Sequence, residues 1–347
     1  MSDGTWSGGL ARSCDYVFPA RPDDPEMRES TSFWLFEENG EFALPRFGIE
    51  AEAANWDQRR VQGNFAFPEG RVLNGAGIGL AHDPVDGGGV AAILGAGPLE
   101  TRCIEPFRTW EVRWDGEALD GSHAGQVATK LAGAPRSRVR LSARLEMAAP
   151  AWVHDYRPDK VAAMTPAQLA EAQFMGLGYR IEQLFTGAGE LAIDGATRLF
   201  RCRGSRIHRQ SVRPLAGFRG HCWQSAVFPD GRAFAYIAYP PHEDGSAGYG
   251  EGFVWRDGQW HAARPITVPW LRDVRCEGDD VGLELVAGGE TVRIGGRTLL
   301  STFRIGNPDI GGLDLHQGSA WYEWDGQRAM GMIERSSHES LTRVVTI

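Results

Sequence analysis

Residues 138–147, RVRLSARLEM, alternate without a break. Val139, Leu141, Ala143, Leu145 and Met147 fall on one side of an extended chain, and Arg138, Arg140, Ser142, Arg144 and Glu146 on the other. Period two predicts a strand with one buried and one wet face. TWEVRW (109–114) repeats the pattern, with Trp110, Val112 and Trp114 against Glu111 and Arg113. GYRIEQLF (178–185), RAFAYIAY (232–239), VGLELV (281–286) and AWYEW (320–324) are further strand candidates. Turn signals lie between them: Asp-Gly occurs nine times, from Asp3 to Asp325, and Asn-Gly twice. These dipeptides tolerate the positive φ of tight hairpins. Strands joined by hairpins, without helices between them, predict an all-β chain of antiparallel barrels or sandwiches.

TPAQLAEAQF (165–174) departs from this pattern. Thr165 is placed as a helix N-cap, Pro166 at the first helical position and Gln168 at capping-box spacing. The polar connector HDYRPDK (154–160) precedes it. The chain is therefore expected to divide here, into an N-terminal barrel over 1–150, a connector with a short helix over 151–175, and a C-terminal barrel over 176–347 that carries the candidate site. A tryptophan just ahead of an Asp-Gly turn, at Trp114, Trp255 and Trp324, is a loose echo between the halves.

The bulk numbers bound the function. The chain has 347 residues, 42% of them hydrophobic, enough for two domains with sizeable cores. A net charge of -9 argues against a binder of phosphate backbones or anionic membranes, so no nucleic-acid partner is expected. The five cysteines are odd in number and lack C-x-x-C spacing, and the nine histidines are dispersed. Neither a disulfide framework nor a metal site is expected. No run of about 18 apolar residues predicts a spanning helix. The first residues lack a signal-peptide core, so a cytoplasmic location is expected. There is no phosphate loop and no G-x-S-x-G elbow, and GAGIGL (75–80) lacks a βαβ context. No cofactor is expected.

Chemistry concentrates in residues 206–223, RIHRQSVRPLAGFRGHCW, with four arginines, two histidines and a tryptophan. On a strand, Arg206, His208 and Gln210 share a face; Arg219, His221, Trp223 and Ser225 share another. If the two segments pair, these faces converge. Charged groups turned inward need partners, and Glu182 and Glu323 are candidates. A buried Glu–Arg–His set pushes pKa values apart, as acid–base chemistry requires. The candidate catalytic residues are His208, Glu182, Arg206 and His221. Twelve tryptophans suit barrel cores, or an aromatic-lined cavity able to stabilise a carbocation. Trp34, Tyr179, Trp223, Trp321 and Glu323 are the candidate substrate-binding residues.

Residues 179–239 resemble the second domain of the carotenoid 1,2-hydratase (hydroxyneurosporene synthase)-like superfamily, which includes tocopherol cyclase-like relatives. The family-like pattern is a Glu-Gln strand, an Asp-Gly hairpin, then G-x-R-D-H-S-W-G-x-R, and a later strand pair around another Asp-Gly. Here these read RIEQLFTG, AIDGATRLF, GSRIHRQSVR and VFPDGRAFAYIAY. The first half is similar in ESTSFWLFEENGEFALPRFGIE and EPFRTWEVRWDGE. Arg206, His208 and Arg213 match the motif, whereas Ile207 stands for its Asp, Arg209 for Ser, Gln210 for Trp and Ser211 for Gly. The resemblance implies tandem lipocalin-like barrels and a cofactor-free acid–base enzyme: a hydratase, dehydratase, isomerase or cyclase acting on a hydrophobic isoprenoid or polycyclic substrate. The alternative is a non-catalytic binding protein for a lipid or other apolar small molecule.

Overall fold

The strand Arg136–Met147 buries every second residue along its whole length, as its alternation requires. The computed structural model of the chain describes residues 6–128, 131–154, 161–213 and 216–345. The Asp3-Gly4 turn and most of the 154–160 connector lie outside them.

Two closed antiparallel rings make up the fold. In the first, Arg28–Glu37, Ala43–Glu52, Gln58–Ala66, Arg71–Asn74, Thr109–Ser122, Arg136–Met147, Leu177–Ile193 and Ala196–Val212 are all joined by pairing, and Ala196–Val212 returns to Arg28–Glu37. In the second, eight strands from His221–Val227 to Gln327–Ser337 form a closed barrel. The tandem-barrel architecture is the one expected. The helix Pro166–Ala172 forms with Thr165 as N-cap and a complete capping box with Gln168.

The strand pairing places the division between the two rings after Val212, not at 151–175. The hairpin 177–212 belongs to the first ring, because Leu177–Ile193 pairs with Arg136–Met147 and Ala196–Val212 with Arg28–Glu37. Nor does Ala196–Val212 pair with His221–Val227, whose partners are Ala233–Ala238 and Gln327–Ser337. The faces expected to converge therefore do not meet: Arg206 and His208 turn into the first barrel, whereas His221 and Trp223 face the space between the two.

Asp194, Asp257 and Asp325 have φ of 50°, 53° and 47°, each followed by a positive-φ glycine, the backbone of the predicted hairpin turns. Asp115-Gly116 is no turn: it lies inside Thr109–Ser122. A Cβ on Gly116 would sit 2.6 Å from Pro98 Cβ, so this glycine serves close packing. The echo at Trp114 has a different cause from those at Trp255 and Trp324.

The three largest cores follow from the two rings. One fills the first barrel around Phe33, Trp110, Trp114 and Phe185. One fills the second around Phe234, Tyr236, Val254 and Tyr322. The third joins the barrels, with Trp34, Leu184, Ile207, Trp223 and Ile237 packed together. All five cysteines are free. Among the described residues no helix is long and apolar enough to cross a membrane.

Candidate functional site

The strands Arg28–Glu37, Leu177–Ile193 and Ala196–Val212 carry the wall between the barrels. One face of each turns into the first barrel and the other meets the second. Alternation thus sorts neighbouring residues into different environments. In register, Gln183 pairs with Arg206 and Ile181 with His208, while Glu182 pairs with Ile207 and Arg180 with Arg209.

On the outer face a cavity of about 270 Å³ opens between the barrels, near the lower end of small-molecule pockets. Its apolar lining includes Met175, Ile207, Phe218, Trp223, Ile237 and Tyr239. Its mouth carries ion pairs: Arg28–Glu50 at 3.1 Å, Arg60–Asp309 at 2.5 Å and Arg304–Asp309 at 2.8 Å. Deeper, His221 Nε2 lies 3.1 Å from Glu334 Oε1, and His221 Nδ1 lies 2.7 Å from Ser336 Oγ. Strand register explains this: His221 sits opposite Ser336 and Trp223 opposite Glu334, so the imidazole reaches the diagonal carboxylate. Gln317 Nε2 donates to the other Glu334 oxygen at 2.5 Å. Burial pushes the Glu334 carboxyl up, but the His221 hydrogen bond and charge, with the Arg46 charge, outweigh it and hold the pKa at about 2. Glu334 therefore only accepts, and His221 Nε2 carries a proton.

Behind Trp223 lies a second charged group. Glu182 Oε1 is 2.6 Å from Arg180 Nη2 and 3.1 Å from His154 Nε2, and the Arg180 guanidinium lies 5.6 Å from the Trp223 ring centroid. Burial pushes the Glu182 carboxyl up to about 6 against the pull of Arg180. A raised pKa favours the folded state below the ordinary carboxylate range, and that contribution is lost as pH rises through about 6.

The inner face holds a different network, closed by the N-terminal turn Arg12–Asp15. Arg206 grips Asp15 with two hydrogen bonds, at 2.8 and 2.9 Å, and gives a third to Gln183 Oε1 at 2.7 Å. Asp15 also accepts from the Phe107 amide at 2.6 Å and from Trp110 Nε1 at 3.1 Å. Burial alone would raise Asp15; the Arg206 charge, helped by His208, holds it at about 2. His208 Nε2 lies 3.4 Å from Glu29 Oε1, which also accepts from the Phe18 amide and Gln210 Nε2. Burial pulls His208 down, but its bonds to Asp15 and Glu29 raise it on balance.

The family profile of a domain of unknown function, DUF7064, matches residues 15–339, from Asp15 in this plug to the turn that follows the last barrel strand. The chain belongs to the DUF7064 family. No curated protein matches the sequence. Among solved structures, the AttH-like protein of Nitrosomonas europaea superposes with a TM-score of 0.54 at 14% identity, covering 95% of this chain and all of the other. CghA gives 0.54 at 13% identity, over 90% of this chain and 89% of its own. Kievitone hydratase from Nectria haematococca gives 0.48 at 9% identity, over 93% of each. The likeness to the first two is one of fold.

In this DUF7064 chain the sequence-predicted residues divide between the environments. Arg206, His208 and Tyr179 lie in the first barrel, with the His208 and Tyr179 rings 5.8 Å apart. His221 and Trp223 line the inter-barrel cavity. Trp34 is fully buried and packs edge-on against Trp223 at 4.7 Å. Glu182 sits behind the cavity wall. Its expected partnership with Arg206 and His208 does not form, because adjacent residues point to opposite faces. Glu323 is exposed near Arg328, 3.9 Å away, and lines a separate surface cleft with Trp321. Sequence reasoning missed Asp15, Glu29, Arg46 and Glu334. The one usable signal was the polar alternation of Glu334 and Ser336 in GMIERSS (331–337).

Proposed function

We propose that this DUF7064 protein is an acid–base enzyme that needs no cofactor and works in the inter-barrel cavity. Its substrate is a small isoprenoid or polycyclic molecule, and the reaction is hydration, dehydration, isomerisation or cyclisation at a carbon–carbon double bond. One observation carries this: a histidine held between a carboxylate and a hydroxyl opens onto a cavity that has an aromatic and aliphatic wall beside its charged groups. The imidazole supplies the proton to, or takes it from, the reacting carbon. Glu334 stays ionised and stabilises the imidazolium. The ring faces of Trp223 and Tyr239 offset positive charge developing on carbon.

The binding-protein alternative is favoured by Ile207. The resemblance places an acid at this position, which lines the cavity. One experiment separates the two. The protein is incubated in deuterated water with a panel of small terpenoid and steroid alkenes, neutral or carrying a carboxylate or phosphate, and carbon-bound deuterium is measured. Incorporation above the protein-free control is expected for at least one compound. No incorporation anywhere, with an intact apolar ligand recovered from the purified protein, would establish the binding protein instead.

A further inference from the structure

Seven arginines and four carboxylates line the inter-barrel cavity, in a chain whose overall charge is negative. Four of these arginines, Arg28, Arg60, Arg180 and Arg304, each have a carboxylate within 3.1 Å. The other three are held differently. Arg209 Nε donates to the Met175 carbonyl at 3.1 Å, Arg213 Nε to the Phe174 carbonyl at 3.0 Å, and Arg46 Nε to Gln62 Oε1 at 2.9 Å. Each fork is thus fixed through its inner nitrogen by a neutral acceptor. Among the described residues none of the three forms an ion pair.

The arrangement is electrostatically costly. Arg209 sits directly opposite Arg180 in the strand register, and like charges so placed repel. Burial lowers the pKa of all three. Arg209 falls furthest, pushed further by Arg213 and Arg180. Glu50 attracts all three, but its Oε1 is engaged by Arg28 at 3.1 Å. Three pre-oriented guanidinium groups without carboxylates, beside an apolar wall, are complementary to one kind of guest. Guanidinium forks match the planar or tetrahedral oxygens of carboxylates and phosphates.

We propose that Arg46, Arg209 and Arg213 form a subsite for an anionic oxygen group, a carboxylate or a phosphate, at one end of an otherwise apolar ligand. This rests on the assignment of the cavity as the substrate site and names the charge of what enters it. Ile207, Ile237, Trp223 and Tyr239 take the apolar remainder, which places the reacting carbon beside His221.

Titration calorimetry at constant ionic strength with octyl phosphate, octanoate and 1-octanol tests the proposal without requiring turnover. At least one anion is expected to bind about tenfold or more tightly than the alcohol. Preference for octyl phosphate or for octanoate identifies the head group. Arg209→Met and Arg213→Met are each expected to erase most of that preference while leaving octanol binding unchanged. Equal affinity of all three probes, no binding of any, or a preference that survives in the folded variants would overturn the subsite. Should one variant fail to fold, the other and the wild-type comparison still decide. Anion preference without deuterium incorporation would sink the enzyme reading alone; incorporation from neutral alkenes without anion preference would sink the subsite alone.

Discussion

His221→Asn is expected to lower turnover by about a hundred- to ten-thousand-fold, with little change in the unfolding midpoint. The magnitude is that of a lost general acid–base group. The small stability cost follows from position: the ring sits at the cavity wall, and Asn still offers donors and acceptors to Ser336 and Glu334. Glu334→Gln is expected to act in the same direction but less strongly, since it keeps a hydrogen bond to Nε2 and loses only the charge that favours imidazolium. His208→Asn is the informative control. Its side chain lies in the first barrel between Asp15 and Glu29, so its expected effect is on stability and not on the chemical step. The measurement is the initial rate on whichever compound takes up deuterium. Full activity in His221→Asn would remove this residue from the mechanism.

Arg206→Met is expected to destabilise the protein by about 3–5 kcal/mol, the usual cost of stranding one partner of a buried pair. Arg206 and Asp15 are both essentially inaccessible to water. Without the guanidinium, the Asp15 carboxylate keeps only the Phe107 amide, Trp110 and His208 as neighbours. Asp15 is depressed to about 2 in the folded protein, below its ordinary value, so its stabilisation is complete above the ordinary carboxylate range and disappears as pH falls through about 2. In Arg206→Met that depression is lost, and the acid limb of the stability curve moves to higher pH. Urea unfolding from pH 3 to 7 reads both effects. An unchanged midpoint at neutral pH would show that the plug is not what closes the first barrel.

These two variants separate what one motif had merged. In GSRIHRQSVR the residues matching the family pattern at 206 and 208 point into the first barrel, where Asp15 and Glu29 satisfy them. The departures at 207 and 209 point into the cavity between the barrels. Period two was legible in the sequence; which face would meet a second barrel was not. A strand such as Arg136–Met147 has one wet face, so its alternation is plain. Leu177–Ile193 has two buried faces around Glu182 and Gln183, so polarity no longer marks the outside. The turn chemistry at Asp194, Asp257 and Asp325 was readable because only a positive φ fits there. Glu334 was hard to place because its partner His221 lies 113 residues away in the chain, and Arg46 because it joins Arg209 and Arg213 only through the folded cavity.

The central claim is that ligand occupies the space between the barrels and not the interior of the first. The most direct measurement is a crystal structure of the protein with the octyl ligand that binds most tightly. Ligand density against Trp223 and Tyr239, with its head group within hydrogen-bond distance of Arg209 or Arg213, is the result expected. Density inside the first barrel, against His208 and Tyr179 with Asp15 displaced from Arg206, would contradict it.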